Sequence, residues 1–214
     1  MLVSLPQRID PAINSWCAAF ARAATARLGD SLLDAVVGYC TVTFYFDPLR
    51  VDAAWLEREL ASIAKDVQAV ESSEVRPLEI PVLYGGDAGP DIEDVARFGA
   101  CSVDDVIERH SSTAYRVYLV GFVPGFAYMA EVDRTIAAPR RSAPRLAVPA
   151  GSVGIAGGQT GIYPAVTPGG WNLIGRTPLT LFDVDRSPAS LFKVGDAVRF
   201  HPISRPEFDA MVRS

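Results

Sequence analysis

Apolar residues recur at spacings of three and four from Ile13 through Trp16, Cys17, Phe20, Ala24 and Leu28, which predicts an amphipathic helix. Asp10 is placed to cap it, Pro11 suits its first position and Gly29 stops it. Trp16 and Phe20 at that spacing read as core rather than as a groove. Leu2 to Leu5 ahead of the helix reads as a short strand. From Ala35 to Phe46 the chain turns β-branched and aromatic, and Val36, Tyr39, Thr41, Val42, Phe44 and Phe46 predict one long strand. Pro48 breaks it. Asp52 then caps a second helix with Leu56, Leu60, Ile63 and Val67 on its apolar face, and Val51 and Leu56 are placed as a hydrophobic staple. Val75 to Tyr84, interrupted by Pro77 and Pro81, reads as an edge strand or a crossing between domains. Strand, helix, strand, helix, strand in about 80 residues predicts a small α/β sandwich.

Beyond Tyr84 the pattern shortens. A helix is expected around Asp91 to Phe98, and a second opens at the capping-box pair Ser102 and Asp105, buries Val103, Val106 and Ile107, and closes at His110. A histidine at a helix C-terminus is an ordinary structural device, and a catalytic role stays open beside it. Tyr115 to Val123 reads as a strand ending in GFVPGF, where Gly121, Pro124 and Gly125 impose a sharp loop flanked by Phe122 and Phe126. From there short strands alternate with Gly and Pro turns, and no convincing helix appears before the last residues, a pattern that predicts a closed barrel. The expected fold class is α+β, an α/β domain over residues 1–80 and a β-barrel domain over residues 81–214.

Composition narrows the class. With 214 residues, 49% of them hydrophobic, the chain can bury real cores. No apolar run approaches the ~20 residues of a membrane span, and MLVSLPQRID lacks the basic leader and apolar core of a secretion signal. Three widely spaced cysteines and two histidines offer no paired metal-ligand spacing and suit a reducing cytoplasm. A net charge of −5 argues against a general nucleic-acid binder.

The charge is unevenly spread. Residues 1–133 carry 20 acids against 10 bases, whereas residues 134–182 hold no Asp or Glu but five arginines, Arg134, Arg140, Arg141, Arg145 and Arg176. Eight of the 17 glycines fall between Pro139 and Asp183. Guanidiniums beside glycines, which let backbone N–H groups approach a ligand, suit a carboxylate or phosphate. A tight barrel whose glycines serve turns and whose arginines are solvated gives the same pattern.

No phosphate loop is present, Lys65 and Lys193 lie outside the Gly-rich segment, and the run at Ser152 lacks the first glycine of a nucleophile elbow. The methionines Met1, Met129 and Met211 offer no biotinylation pair. What remains is a recognition surface. Arg140, Arg141, Arg145 and Arg176 are candidate anion ligands, Gln159 and Asn172 amide hydrogen-bonders, Gly157, Gly158 and Thr160 further substrate contacts, and Phe126, Tyr163 and Trp171 walls. Arg145, held between Pro144 and Pro149, is favoured over Arg134 as a ligand contact. With no acid or histidine in residues 134–182, a general base must come from elsewhere in the chain, with His110 as candidate, or from a partner.

The runs VPAGSVGIAG at 148–157, QTGIYP at 159–164 and TPGGWNLIGRTP at 167–178 resemble the B subunit of bacterial 5-oxoprolinase, and so do YGGDAGPDIEDVA at 84–96, VIERHSS at 106–112, YRVYLVGFVPGFAYM at 115–129 and PRRSAPR at 139–145. That family of carboxyltransferase subdomains C and D, also labelled allophanate hydrolase subunit 1, includes sporulation-kinase inhibitors and a domain of urea carboxylase. The resemblance implies a ferredoxin-like N-terminal domain followed by a cyclophilin-like β-barrel. It also implies an ATP-dependent cytoplasmic hydrolase, with Mg accompanying the nucleotide, that opens the lactam of 5-oxoproline to glutamate. The implied partners are a C-type subunit of related barrel fold and an A-type subunit, without which activity is not expected. A component of a urea carboxylase or allophanate hydrolase complex, or a non-catalytic kinase-inhibitor module, are the alternatives within the same family.

Overall fold

In a computed structural model, which describes residues 1–68 and 76–213, the chain divides into two units, Met1–Glu74 and Val75–Ser214. The first contains β1 (Leu2–Ser4), α1 (Pro11–Leu28), β2 (Asp34–Val37), β3 (Thr41–Tyr45) and α2 (Ala53–Asp66). The Asp10 carboxylate accepts the N–H groups of Ala12 at 2.9 Å and Ile13 at 3.3 Å, and Asp52 accepts that of Trp55 at 2.7 Å, so both helices start where their capping residues put them. Cys17, Phe20, Ala24 and Leu28 of α1 pack with Val42 and Phe44 of β3 and with Leu56, Leu60 and Ile63 of α2. The antiparallel sheet runs β1-β3-β2, and its order with the helices after β1 and β3 is ferredoxin-like over the described residues.

The single strand expected from Ala35 to Phe46 is a hairpin. Asp34 pairs with Tyr45 and Val37 with Val42. A period-two pattern continues through a hairpin as it does along a strand. The turn is marked instead by Gly38, where an added Cβ would stand 2.5 Å from the Thr41 hydroxyl.

The second unit contains β4 (Leu78–Tyr84), α3 (Ile92–Phe98), α4 (Val103–Ser112), β5 (Ala114–Val120), β6 (Ala127–Ala130), β7 (Arg145–Val148), β8 (Ser152–Ala156), β9 (Gln159–Ile162), β10 (Thr167–Gly169), β11 (Asn172–Arg176), β12 (Ala197–Pro202) and α5 (Arg205–Val212). Seven strands close a barrel in the order β11-β4-β12-β5-β6-β9-β8, and β7 and β10 form a separate antiparallel ribbon. The pair β12 and β4 is parallel and the other barrel pairs are antiparallel. Val82, Val117, Met129, Val153, Ile155, Ile162, Ile174 and Val198 are buried in its core. The capping boxes of Ser102 with Asp105 and of Ser204 with Glu207 start α4 and α5. Among the described residues no helix is long and apolar enough to cross a membrane.

The extended segment expected from Val75 to Tyr84 belongs to this barrel rather than to the sandwich, although Val75 itself lies outside the described residues. Leu78 to Val82 pair with β12, and Leu83 and Tyr84 pair with β11. Pro81 therefore stands where the strand has one neighbour, the position a residue without an N–H tolerates.

Candidate ligand-binding site

Phe126, Val148, Tyr163, Trp171 and Leu173 form a buried cluster apart from the main core of the barrel unit. Phe126 meets Tyr163 at 5.2 Å and Trp171 at 5.5 Å between ring centroids, both edge-on, the arrangement aromatic quadrupoles favour. Tyr128 lies two residues beyond Phe126, on the same face of the extended chain, and meets Phe126 at 4.6 Å and Trp171 at 5.8 Å. These four rings and Phe122 wall a cleft of about 430 Å³, completed by Pro139, Arg140, Ala156, Gly157, Gln159, Pro168 and Gly169. That volume suits a small organic ligand. Burial pushes the Tyr128 and Tyr163 phenols above their ordinary pKa, opposed by the Arg140 charge at both and, more strongly at Tyr163, by a hydrogen bond from the Trp171 N–H, so both stay protonated at neutral pH.

Arg140 is the cleft's one cationic side chain, and it makes no hydrogen bond or ion pair among the described residues. Its backbone, by contrast, is held on both sides. The Gly157 N–H donates to Ala138 O at 2.7 Å, the Asn172 side-chain amide donates to Pro139 O at 2.9 Å, and the Arg141 N–H donates to Gly170 O at 2.8 Å. Gly170 also gives the arginine its room, since a Cβ there would stand 2.7 Å from Arg140 Nε.

Asp91, 3% exposed, organises the neighbouring arginines. Arg145 forks onto both of its oxygens at 2.8 Å each, Arg141 Nη1 donates to Oδ1 at 2.8 Å, and the Leu173 N–H donates to Oδ2 at 2.7 Å. The hydrogen bonds to Asp91 raise Arg145 above the usual guanidinium pKa. Arg141 and Arg145, expected as anion ligands, are bonded instead to an acid 50 and 54 residues earlier in the chain. Arg145 is committed to Asp91 and does not line the cleft.

Other candidates also turn inward. His110 is fully buried and is absent from the cleft lining. Its Nδ1 lies 2.7 Å from the Tyr84 hydroxyl and its Nε2 2.9 Å from Thr160 Oγ1, which donates to Gly154 O at 3.0 Å. Because Thr160 uses its proton on Gly154, it accepts from Nε2–H, which leaves Nδ1 to accept from Tyr84. Burial depresses His110 to about 3, so this chain of bonds carries a neutral imidazole. Neither His110 nor Thr160 lines the cleft. Asn172 bonds Pro139 O and Ile155 O, and Arg176 Nε donates to Ala150 O at 2.8 Å. Gly158 is exposed in the β8–β9 turn, and its carbonyl accepts the Val132 N–H.

The structure thus gathers Arg140, Gly157, Gln159, Phe126, Tyr163 and Trp171 around one cleft and leaves Arg141, Arg145, Gly158, Thr160, Asn172, Arg176 and His110 off it. Sequence reasoning missed Tyr128 and Asp91 and left Phe122 out of the site. The two-residue spacing of Phe126 and Tyr128 was a usable signal, whereas nothing local marks Asp91. No lining residue is an acid or a histidine, and no group of three or more metal-ligating side chains occurs among the described residues.

Fold and cleft make the second unit a closed barrel with a packed core and a ligand-sized cleft walled by a separate aromatic cluster. More particularly, the chain belongs to the carboxyltransferase domain family, subdomains C and D, which matches residues 1–192. Among its relatives, the 5-oxoprolinase B subunit of Bacillus subtilis (strain 168) is 49% identical over 155 residues, which cover 72% of this chain and 63% of that protein. The 5-oxoprolinase B subunit of Escherichia coli O157:H7 is 46% identical over 175 residues, covering 80% and 78% respectively. The crystal structure of TTHA0988 superposes with a TM-score of 0.86 at 36% identity, covering 96% of this chain and 40% of that one.

Proposed function

We propose that this chain acts as the B subunit of an ATP-dependent 5-oxoprolinase in the cytoplasm, and that the aromatic cleft of the barrel receives 5-oxoproline. The observation that carries this reading is Arg140, a guanidinium on an aromatic wall with no hydrogen bond or ion pair among the described residues, in a chain 41–49% identical to 5-oxoprolinase B subunits. A carboxylate satisfies that guanidinium. The Gln159 side chain and the Tyr128 and Tyr163 hydroxyls can face the polar edge of the lactam, and the aromatic faces cover its ring.

The cleft's donor set does not fit the polyphosphate of ATP, because Arg140 alone is cationic there while Arg141 and Arg145 are bonded to Asp91. We assign nucleotide handling to C-type and A-type partner subunits. In the overall reaction ATP activates the lactam and water opens it to glutamate. This chain's share is to grip the carboxylate, orient the ring and shield it from bulk water. Proton transfer falls to groups outside the cleft wall, since no lining residue is an acid or a histidine.

The test is kinetic, in the enzyme assembled with its partner subunits. Arg140→Ala is expected to raise KM for 5-oxoproline roughly tenfold or more, the loss of a charge-assisted bond, while KM for ATP and the melting temperature stay near wild type. An unchanged KM for 5-oxoproline in an active complex would refute the assignment of the cleft.

A further inference from the structure

We propose that Phe122 is a substrate-contacting specificity residue, whose ring closes on the planar ring of a small carboxylate held in the cleft. The proposal rests on the reading of that cleft as the 5-oxoproline site. Phe122 lines the cleft, yet its side chain is 63% exposed and it meets Phe126 edge-on at 5.7 Å. Its backbone adopts φ 75°, a left-handed conformation that is a genuine outlier for a bulky residue.

The surrounding loop fixes that conformation. The Gly121 N–H donates to Phe126 O at 3.0 Å and the Phe126 N–H donates to Val123 O at 3.1 Å. Pro124 and Gly125, the latter at φ 82°, occupy the central positions of a turn that favours those two residues. Gly125 packs so closely on Phe182 that a Cβ would stand 2.6 Å from the Phe182 Cβ. At Phe122 a glycine would satisfy the backbone without strain, and a phenylalanine kept only for packing would be buried rather than exposed. Strain and an exposed apolar ring are both unfavourable to the empty fold. A flat ligand between Phe122 and the Tyr128 and Trp171 walls would bury the ring, and Arg140 on the same wall selects an anionic one.

The experiment compares Phe122→Gly, Phe122→Asn and Phe122→Tyr in the full chain assembled with its partner subunits, with Arg140→Ala alongside. Glycine and asparagine both tolerate the left-handed region and both remove the ring. Both are expected to raise KM for 5-oxoproline roughly tenfold, with KM for ATP unchanged and a melting temperature equal to or above wild type. Tyrosine is expected to keep the wild-type KM. If glycine and asparagine leave KM unchanged while Arg140→Ala raises it, the role of Phe122 is overturned and the cleft assignment stands. A lowered melting temperature with normal KM makes Phe122 a packing residue and also overturns the proposal. If Arg140→Ala too has no effect, the cleft reading falls and takes this inference with it.

Discussion

Replacing Asp91 by alanine removes the acceptor of four hydrogen bonds at once. The Leu173 N–H is left buried without an acceptor, which costs about 1–3 kcal/mol. Arg141 and Arg145, with side chains 33% and 26% exposed, can rehydrate in part, so each lost pair adds only about 0.5–1 kcal/mol after solvent screening. The total is about 2–5 kcal/mol, or roughly 4–20 °C in the melting temperature of a domain of this size. Because Arg141 adjoins Arg140 and is anchored by Asp91, KM for 5-oxoproline should rise in molecules that remain folded. Arg145→Lys keeps the charge but loses the planar fork, so it should lower the melting temperature and leave KM per folded molecule near wild type. Thermal melts read the first effect and active-site-normalised kinetics the second. If Asp91→Ala melts within a degree or two of wild type, the four-bond cradle does not hold this part of the fold.

Three further expectations concern separate parts of the molecule. His110 is neutral when folded, its pKa depressed by burial to about 3, and near 6.5 when unfolded, so the unfolded chain binds the extra proton between those values. Its contribution to stability is therefore complete above pH ~6.5 and falls by up to ~1.4 kcal/mol per pH unit toward pH ~3; His110→Gln should flatten that slope in melts from pH 7 to 4, and an identical slope would contradict the assignment. Gly170→Ala places a Cβ against the exposed Arg140 side chain, so it should raise KM for 5-oxoproline with a melting temperature within a few degrees of wild type, and an unchanged KM would show that Arg140 does not need that space. The purified chain without its partners should fold but release no glutamate from 5-oxoproline with ATP. Robust turnover would show a complete catalytic set within the chain.

What the sequence revealed was what is local. Asp10, Asp52 and the pair Ser102 with Asp105 announce their helices because a cap acts within three residues. The barrel followed from short strands punctuated by Gly and Pro. The hairpin at Gly38 was hidden because alternation does not stop at a turn, and β4 read with the first unit because its partners β11 and β12 come from the far end of the chain. The site was half legible. Phe126, Tyr163, Trp171 and Arg140 come from the Gly-rich segment and the GFVPGF loop, where composition marks them. The apparent surplus of five arginines was misleading, because Asp91 neutralises two of them across 50 or more residues of chain, and no spacing rule reaches that far. His110 read as a helix terminus, and its partners Tyr84 and Thr160 come from strands on either side in sequence.

The most direct test of the central claim is the position of 5-oxoproline in a crystal structure of the assembled enzyme. The expected result is a ligand between the Trp171, Tyr128 and Phe122 rings with its carboxylate within hydrogen-bond distance of the Arg140 guanidinium. Density for the ligand only on a partner protein, with this cleft empty, would contradict the account.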